Sequence, residues 1–316
     1  MREYKPEGDY RQAENLSPHE LEQAYYSGEI LQATALAFDQ QQRLRIQVAG
    51  QIVCIPPEEC AYGLDTGQVR QIAVLSRVGR PVCFVVTSLP EHPQGLSVSR
   101  RMAQQYCLQE HLNPLLPGDI LPCRVSHIEP FGAFCDVGCG ISALLPIDCL
   151  SISRIQTPAD RVCVGQSLYC VLKNRDEQGR LVLSLRELLG TWSENAQRFA
   201  VGETVVGIVR SIEEYGVFIE IAPNLAGLAE PAPDLQRGQP VSVYIKNILP
   251  QRMKIKLVVV NRNLETTVRF PLCYQCTSGH MEKWVYSTGQ SDKQIATVFS
   301  QCRSAARTCA QTDFLL

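Results

Sequence analysis

The chain has 316 residues, enough for two or three domains, and its 45% apolar content allows sizeable cores. A formal net charge of -2 argues against coating duplex DNA by bulk electrostatics, while leaving room for RNA binding through small basic faces. There is no run of about eighteen apolar residues and no charged-apolar-small leader, so a cytoplasmic protein without membrane contact is expected.

The 14 cysteines stand mostly in apolar strand patterns (Cys54, Cys83, Cys123, Cys135, Cys170), where a reduced thiol acts as a small hydrophobe. A reducing compartment without structural disulfides is expected.

Residues 1–27 are polar and charged and read as an N-terminal helical arm. Ser17 is the expected cap, Pro18 the first helical residue and Glu20 the capping-box partner, with the helix ending near Ser27-Gly28. From Gly28 the pattern turns to β. The start Gly28-Glu29-Ile30-Leu31 is echoed by Gly118-Asp119-Ile120-Leu121 and Gly202-Glu203-Thr204-Val205, which marks a repeat.

The first unit, 28–112, is degenerate. It keeps strand-like runs (Leu44–Val48, Pro81–Val86) and carries Arg43 and Arg45 on its polar face. A helical stretch from Met102 to His111 leads into the second unit, 117–187. A second helical linker, 188–200 with Trp192, leads into the third unit, 201–260. The remainder, 261–316, gives no recognisable fold pattern.

The second and third units align without a gap from Gly118 to Pro146. The third lacks the segment around Ser151–Asp160, and the match resumes at Gly165/Gly238 and Lys173/Lys246. Each unit holds about five short strands with Gly, Pro and Asn at the turns. A small closed barrel is the economical solution, because it removes exposed sheet edges. The expected fold class is mainly β: tandem five-stranded OB-type barrels with short helical linkers.

The informative stretch is Phe131-Gly132-Ala133-Phe134-Cys135-Asp136-Val137, repeated as Tyr215-Gly216-Val217-Phe218-Ile219-Glu220-Ile221. By strand alternation Ala133, Cys135 and Val137 share the apolar face, and Phe134 falls with Asp136 on the polar one; Phe218 is likewise in phase with Glu220. An aromatic on the polar face, with another three residues earlier across a glycine, makes a stacking platform for single-stranded bases. The competing reading is two packing residues under a neighbouring loop or domain; recurrence in the same phase weighs against it.

These residues resemble a known family. The pattern Gly-Asp-Ile, Phe-Gly-Ala-Phe-x-Asp-Val-Gly, Leu-Leu-Pro, Val-Gly-Gln and Arg-Leu-x-Leu-Ser in unit two is similar to the S1-type RNA-binding repeat, named for the largest protein of the bacterial small ribosomal subunit. The resemblance is close over 117–187, good over 201–258 and weak over 28–105, and the whole chain resembles a short, three-repeat homologue of the clostridial type. In that family RNA is gripped by the two aromatics, a His after the third strand, and an Asp and an Arg near the last strands.

Carried over, these are Phe131, Phe134, Asp176 and Arg180 in unit two. In unit three they are Tyr215, Phe218 and Arg252. The His position holds Pro146 and Glu230, and unit three has Leu249 near the Asp position. Glu230 would repel phosphate, so unit three is expected to rely on Lys246, Arg252, Lys254 and Lys256. The bland reading of those lysines is a solvated strand face. Unit one, without the aromatics, suits a protein contact.

Cys273-Tyr274-Gln275-Cys276 followed by His280 has the spacing of half a zinc site, but Cys302 and Cys309 make no convincing second half, so no metal and no cofactor is expected. The aromatics and basic residues of 279–287 fit a small docking element, an extra RNA contact or a plain hydrophobic clip of the tail onto unit three. No catalytic motif is present. Asp136 and Asp148 could suggest a metal-dependent nuclease, yet the pair does not recur, and surface carboxylates explain them more cheaply.

The resemblance therefore implies a monomeric, non-enzymatic binder of single-stranded RNA, capturing messenger RNA near the small ribosomal subunit. The alternative is a ribosome-associated or regulatory protein-interaction scaffold whose repeats have lost RNA binding. Exposure of Phe131 and Phe134 on one open face would favour the first, and their burial the second.

Overall fold

The computed structural model describes residues 3–67, 69–232, 234–262, 264, 268–291 and 293–299. Two compact units divide the chain: residues 1–115 with 122–126 and 135–143, and residues 116–121 and 127–134 with 144–316.

The chain starts with a short strand, β1 (Arg11–Gln12), that adds in parallel to β2 (Leu31–Phe38). Between them lies α1 (Pro18–Ser27). The Ser17 hydroxyl accepts from the Glu20 amide, the Glu20 carboxylate accepts from the Ser17 amide, and Gly28 closes the helix in the left-handed region at φ 64°. There follow β3 (Leu44–Val48), β4 (Gln51–Ile55), α2 (Gln71–Leu75), β5 (Pro81–Ser88), β6 (Ser97–Ser99) and α3 (Arg100–Tyr106), which runs on into a π-helical turn at Cys107–Leu112.

The sheet order is β4-β3-β2-β5-β6. Its end strands β4 and β6 approach within 8 Å between Cα atoms, but no ladder joins them among the described residues. The alternation of β3 places Leu44, Ile46 and Val48 in the core and leaves Arg45 exposed; the central strand β5 is buried along most of its length.

The middle barrel is built from β7 (Ile120–Glu129), β8 (Gly132–Asp136), β9 (Ser142–Pro146), β10 (Ser167–Arg175) and β11 (Leu181–Ser184), with α4 (Ile147–Leu150) after β9. It closes in the order β10-β11-β9-β8-β7. The linking helix α5 (Trp192–Ala196) is capped by Thr191 through a capping box with Glu194.

The third barrel has β12 (Thr204–Glu213), β13 (Gly216–Ala222), β14 (Leu225–Ala229), β15 (Pro240–Leu249) and β16 (Lys254–Asn261), closed as β12-β13-β14-β16-β15. The pairing β9/β11 recurs as β14/β16, each the parallel contact that shuts its barrel. Five-stranded closure with one parallel seam is the OB-type arrangement expected from the repeat.

The described part of the C-terminal extension carries a small hairpin, β17 (Lys283–Val285) and β18 (Ala296–Val298). Trp284 and Tyr286 are buried in the same cluster as Val209, Ile219 and Val243 of the third barrel. The Tyr286 hydroxyl donates to the Asn224 carbonyl, and the Trp192 amide donates to the Tyr286 carbonyl. Among the readings its sequence allowed, the segment is the hydrophobic clip onto the third barrel.

One expectation is overturned. Asp136 is not a surface carboxylate: it is 7% exposed, and its counterpart Glu220 is fully buried. The phase was right, but other backbone covers that face. Asp136 accepts from the amides of Glu7, Gly138 and Gly140. Glu220 is clamped between Arg161 and Arg210, the latter also 3.3 Å from Asp160. Arg161 and Asp160 belong to the connection that the middle unit has and the third lacks.

Candidate nucleic-acid interface

Phe131 lies in the turn between β7 and β8, and Phe134 on β8. Gly132 between them is obligatory for packing: a Cβ there would lie 2.7 Å from the Leu145 carbonyl oxygen on β9. At Gly216 the same contact would be 2.5 Å, to the Ala229 carbonyl oxygen on β14. The missing side chain lets the turn close onto the neighbouring strand, and so brings the two flanking rings together on the outside.

The resulting geometry is nearly identical in both copies. Phe131 and Phe134 meet edge to face, 6.1 Å between centroids and 90° between planes. Tyr215 and Phe218 stand 6.1 Å apart at 88°. Phe131 is 55% and Tyr215 66% exposed, while the strand aromatics are half-buried. An exposed ring braced by a second ring at right angles offers an apolar face to a base without ordering cost at binding.

In the third barrel the register extends the platform. Phe218 pairs with Leu228, Leu228 with Lys256, and Lys256 with Asn247, so one row crosses β13, β14, β16 and β15 on the outer face. The corresponding row of the middle barrel holds Leu144, Val182 and Asn174. A lysine thus stands in line with the rings of the third barrel where the middle barrel has a valine. Lys254 lies two residues along the same face, opposite Leu249. Lys246 sits at the bulge between Ile245 and Asn247, and Arg252 in the 3-10 turn Pro250–Arg252. All four cations are exposed, and none has an ion-pair partner among the described residues. Glu230 is exposed just past β14.

Asp176 and Arg180 come together at the β10–β11 turn. The Arg180 Nε donates to Asp176 Oδ2 at 2.6 Å, and Asp176 Oδ1 accepts from the amides of Gln178 and Arg180. Desolvation works against the charge, but the Arg180 side chain and these amides together outweigh it and hold Asp176 below the usual carboxylate range. In the unliganded chain the two residues therefore satisfy each other, and the Arg180 guanidinium stays 70% exposed with donors to spare.

Sequence reasoning missed His127. This exposed β7 residue stacks on Phe134, 6.4 Å between centroids and 21° between planes, and its Nε2 is 2.7 Å from Glu129. The signal was available: His127 shares a strand face with Glu129 by alternation, on the strand next to Phe134. The third barrel has Ser211 at the same place.

The possible half zinc site does not assemble. Cys273 and Cys276 are half-buried, and the His280 Nδ1 is 2.7 Å from Asp119. No group of three or more His, Cys, Asp or Glu is placed to hold a metal among the described residues, and Cys302 and Cys309 lie outside them.

A family model for the S1 RNA binding domain matches residues 116–186. The middle barrel is an S1 RNA-binding domain. Outside that domain the homology continues. Small ribosomal subunit protein bS1 of Staphylococcus aureus (strain COL) is 31% identical over 198 residues, covering 57% of this chain and 50% of that protein. The bS1 homolog of Bacillus subtilis (strain 168) is 29% identical over 206 residues, covering 60% and 53%. The chain spans about half the length of these curated relatives. Among solved structures, a multidomain protein with nucleic acid binding domains from Streptococcus pneumoniae matches over 75% of both chains at 17% identity and a TM-score of 0.26. In the S1 domain the aromatic pair and the Asp176–Arg180 pair lie on one barrel; the third barrel repeats the aromatics and has in place of the acid–base pair cations without an ion-pair partner among the described residues.

Proposed function

We propose that this protein is a non-catalytic, monomeric binder of single-stranded RNA in the cytoplasm, which captures messenger RNA at the small ribosomal subunit. The reading is carried by the braced, solvent-facing aromatic pair that recurs with the same geometry in two successive barrels. The likeness to bS1 supports the assignment to translation.

In this mechanism successive bases stack on Phe131 and Phe134. Arg180 swings part of its guanidinium onto phosphate, and Asp176 accepts from a base edge or a 2′-hydroxyl. The third barrel adds Tyr215 and Phe218, with Lys246, Arg252, Lys254 and Lys256 tracking the backbone. Stacking tolerates sequence, so any base preference is modest.

The test is binding of a fluorescent single-stranded RNA to the wild type and to Phe131→Ala/Phe134→Ala across several salt concentrations. The expected loss is about 2–5 kcal/mol with little change in salt slope. Unchanged binding would move the contact to the cations of the third barrel. No binding by either protein would favour the scaffold reading, for which the exposed Glu230 and the Pro146 at the family's His position speak.

A further inference from the structure

The C-terminal extension covers one flank of the S1 domain, and among the described residues nothing covers the equivalent flank of the third barrel. At the start of β7 the chain's own residues 279–281 lie alongside, reached through bends at Gln275 and 277–279. The Ile120 amide donates to the Gly279 carbonyl, the Met281 amide to the Gly118 carbonyl, and Asp119 and His280 form an antiparallel bridge. Tyr274, Cys276 and Met281 pack over Val171, which is fully buried, and Tyr274 meets Tyr169 edge to face at 5.5 Å. The Asp119 carboxylate is shared. One oxygen accepts from the Leu116 amide at 2.7 Å, and the other is 2.7 Å from the His280 Nδ1.

Each of these positions has a counterpart in the third barrel. Gly202 and Glu203 bond Ile245 as Gly118 and Asp119 bond Leu172. Glu203 accepts from the Ala200 amide at 2.9 Å, as Asp119 does from Leu116. By the alternation of the ladder, the Gly202 carbonyl and the Thr204 amide then face outward, away from β15. Tyr244 stands where Val171 does, paired with Val258 as Val171 is paired with Ser184. What is missing among the described residues is the cover. Val201–Thr204 are exposed, a Cβ at Gly202 would meet nothing within 4 Å, and Tyr244, Val258 and Val260 are 38%, 40% and 61% exposed. A clustered apolar face beside a free strand edge is unusual unless something docks there.

We propose that this face of the third barrel binds an extended segment of a partner protein. The segment lies antiparallel along Gly202–Thr204, with apolar or aromatic side chains over Tyr244 and Val258 and an imidazole or ammonium on Glu203. The chemistry is that of the segment covering the matching face one barrel earlier: backbone bonds hold the strand, and alternate side chains choose it.

The probe is a fluorescein-labelled peptide of residues 272–283, kept reduced and titrated with the full chain. Saturable binding is expected. It should weaken by about tenfold or more in Tyr244→Lys/Val258→Lys and severalfold in Glu203→Gln, and stay unchanged in Phe131→Ala/Phe134→Ala. Val260→Lys, at a more exposed site, serves if the double variant unfolds. Absence of saturable binding overturns the proposal, as does binding indifferent to the Tyr244 and Val258 changes, which would report displacement of the chain's own segment. Displacement of the peptide by single-stranded RNA would make the face an RNA contact instead. Self-association that Tyr244→Lys abolishes would assign it to a second copy of the chain.

Discussion

His127 and Asp136 illustrate what single side chains decide. His127 adds a third ring beside Phe134 that the third barrel lacks. If RNA binds this platform, His127→Ala weakens it by about 1–3 kcal/mol and His127→Phe largely preserves it, a pattern readable by fluorescence anisotropy. Asp136 has the opposite character. Burial and the neighbouring Glu7 carboxylate push it up to about 7, against the pull of the three amides it accepts. Glu7 itself is held below the usual carboxylate range, because Arg100 and Arg77 outweigh the cost of its burial. The folded state thus keeps the Asp136 proton up to about pH 7, while the unfolded chain releases it near 3.9. Raising the pH through that window favours unfolding. Glu7 contributes its stability above its unfolded pKa and loses it only as pH falls below that window. A lower urea midpoint at pH 8 than at pH 6 is expected, with the difference reduced in Asp136→Asn.

At the level of elements, the β17–β18 hairpin completes the third barrel's core. Trp284 is 6% and Tyr286 5% exposed, beside Trp192 from α5. The linker before the barrel and the extension after it are therefore tied at one place, through the amide of Trp192 on the carbonyl of Tyr286. Trp284→Ala should cost about 3–5 kcal/mol of stability, seen as a lowered thermal midpoint, because a large buried ring leaves a cavity that its neighbours fill only in part. A surface role for Trp284 predicts a change within about 0.5 kcal/mol.

The whole molecule carries two aromatic platforms on one chain. If both platforms take up RNA, their connection raises apparent affinity only for RNA long enough to reach both. Tyr215→Ala/Phe218→Ala should thus weaken binding of a long single strand clearly and leave binding of a short oligonucleotide to the S1 domain almost unchanged. Equal losses on both lengths would show that the third barrel, not the S1 domain, is the primary site.

Much of this was written in the sequence, because the barrel follows from local rules. Alternation assigned Ala133, Cys135 and Val137 to the core, and Ser17-Pro18-x-Glu20 set the first helix. The aromatic pairs were legible because alternation put Phe134 and Phe218 on the polar face and a second aromatic preceded each across a glycine, though only the turn itself brings the two rings together. What alternation cannot report is which polar face another part of the chain will cover. Asp136 and Glu220 read as solvent-facing, and it is other parts of the chain, Glu7 for the first and Arg161 with the neighbouring-strand Arg210 for the second, that help make them interior. For the same reason His127 on Phe134 and the exposed flank at Tyr244 emerged only from the tertiary structure, which also chose the Trp284 clip among the readings its sequence allowed. A residue's side of a strand is fixed by its immediate neighbours, but its exposure is fixed by whatever the rest of the chain brings to that side.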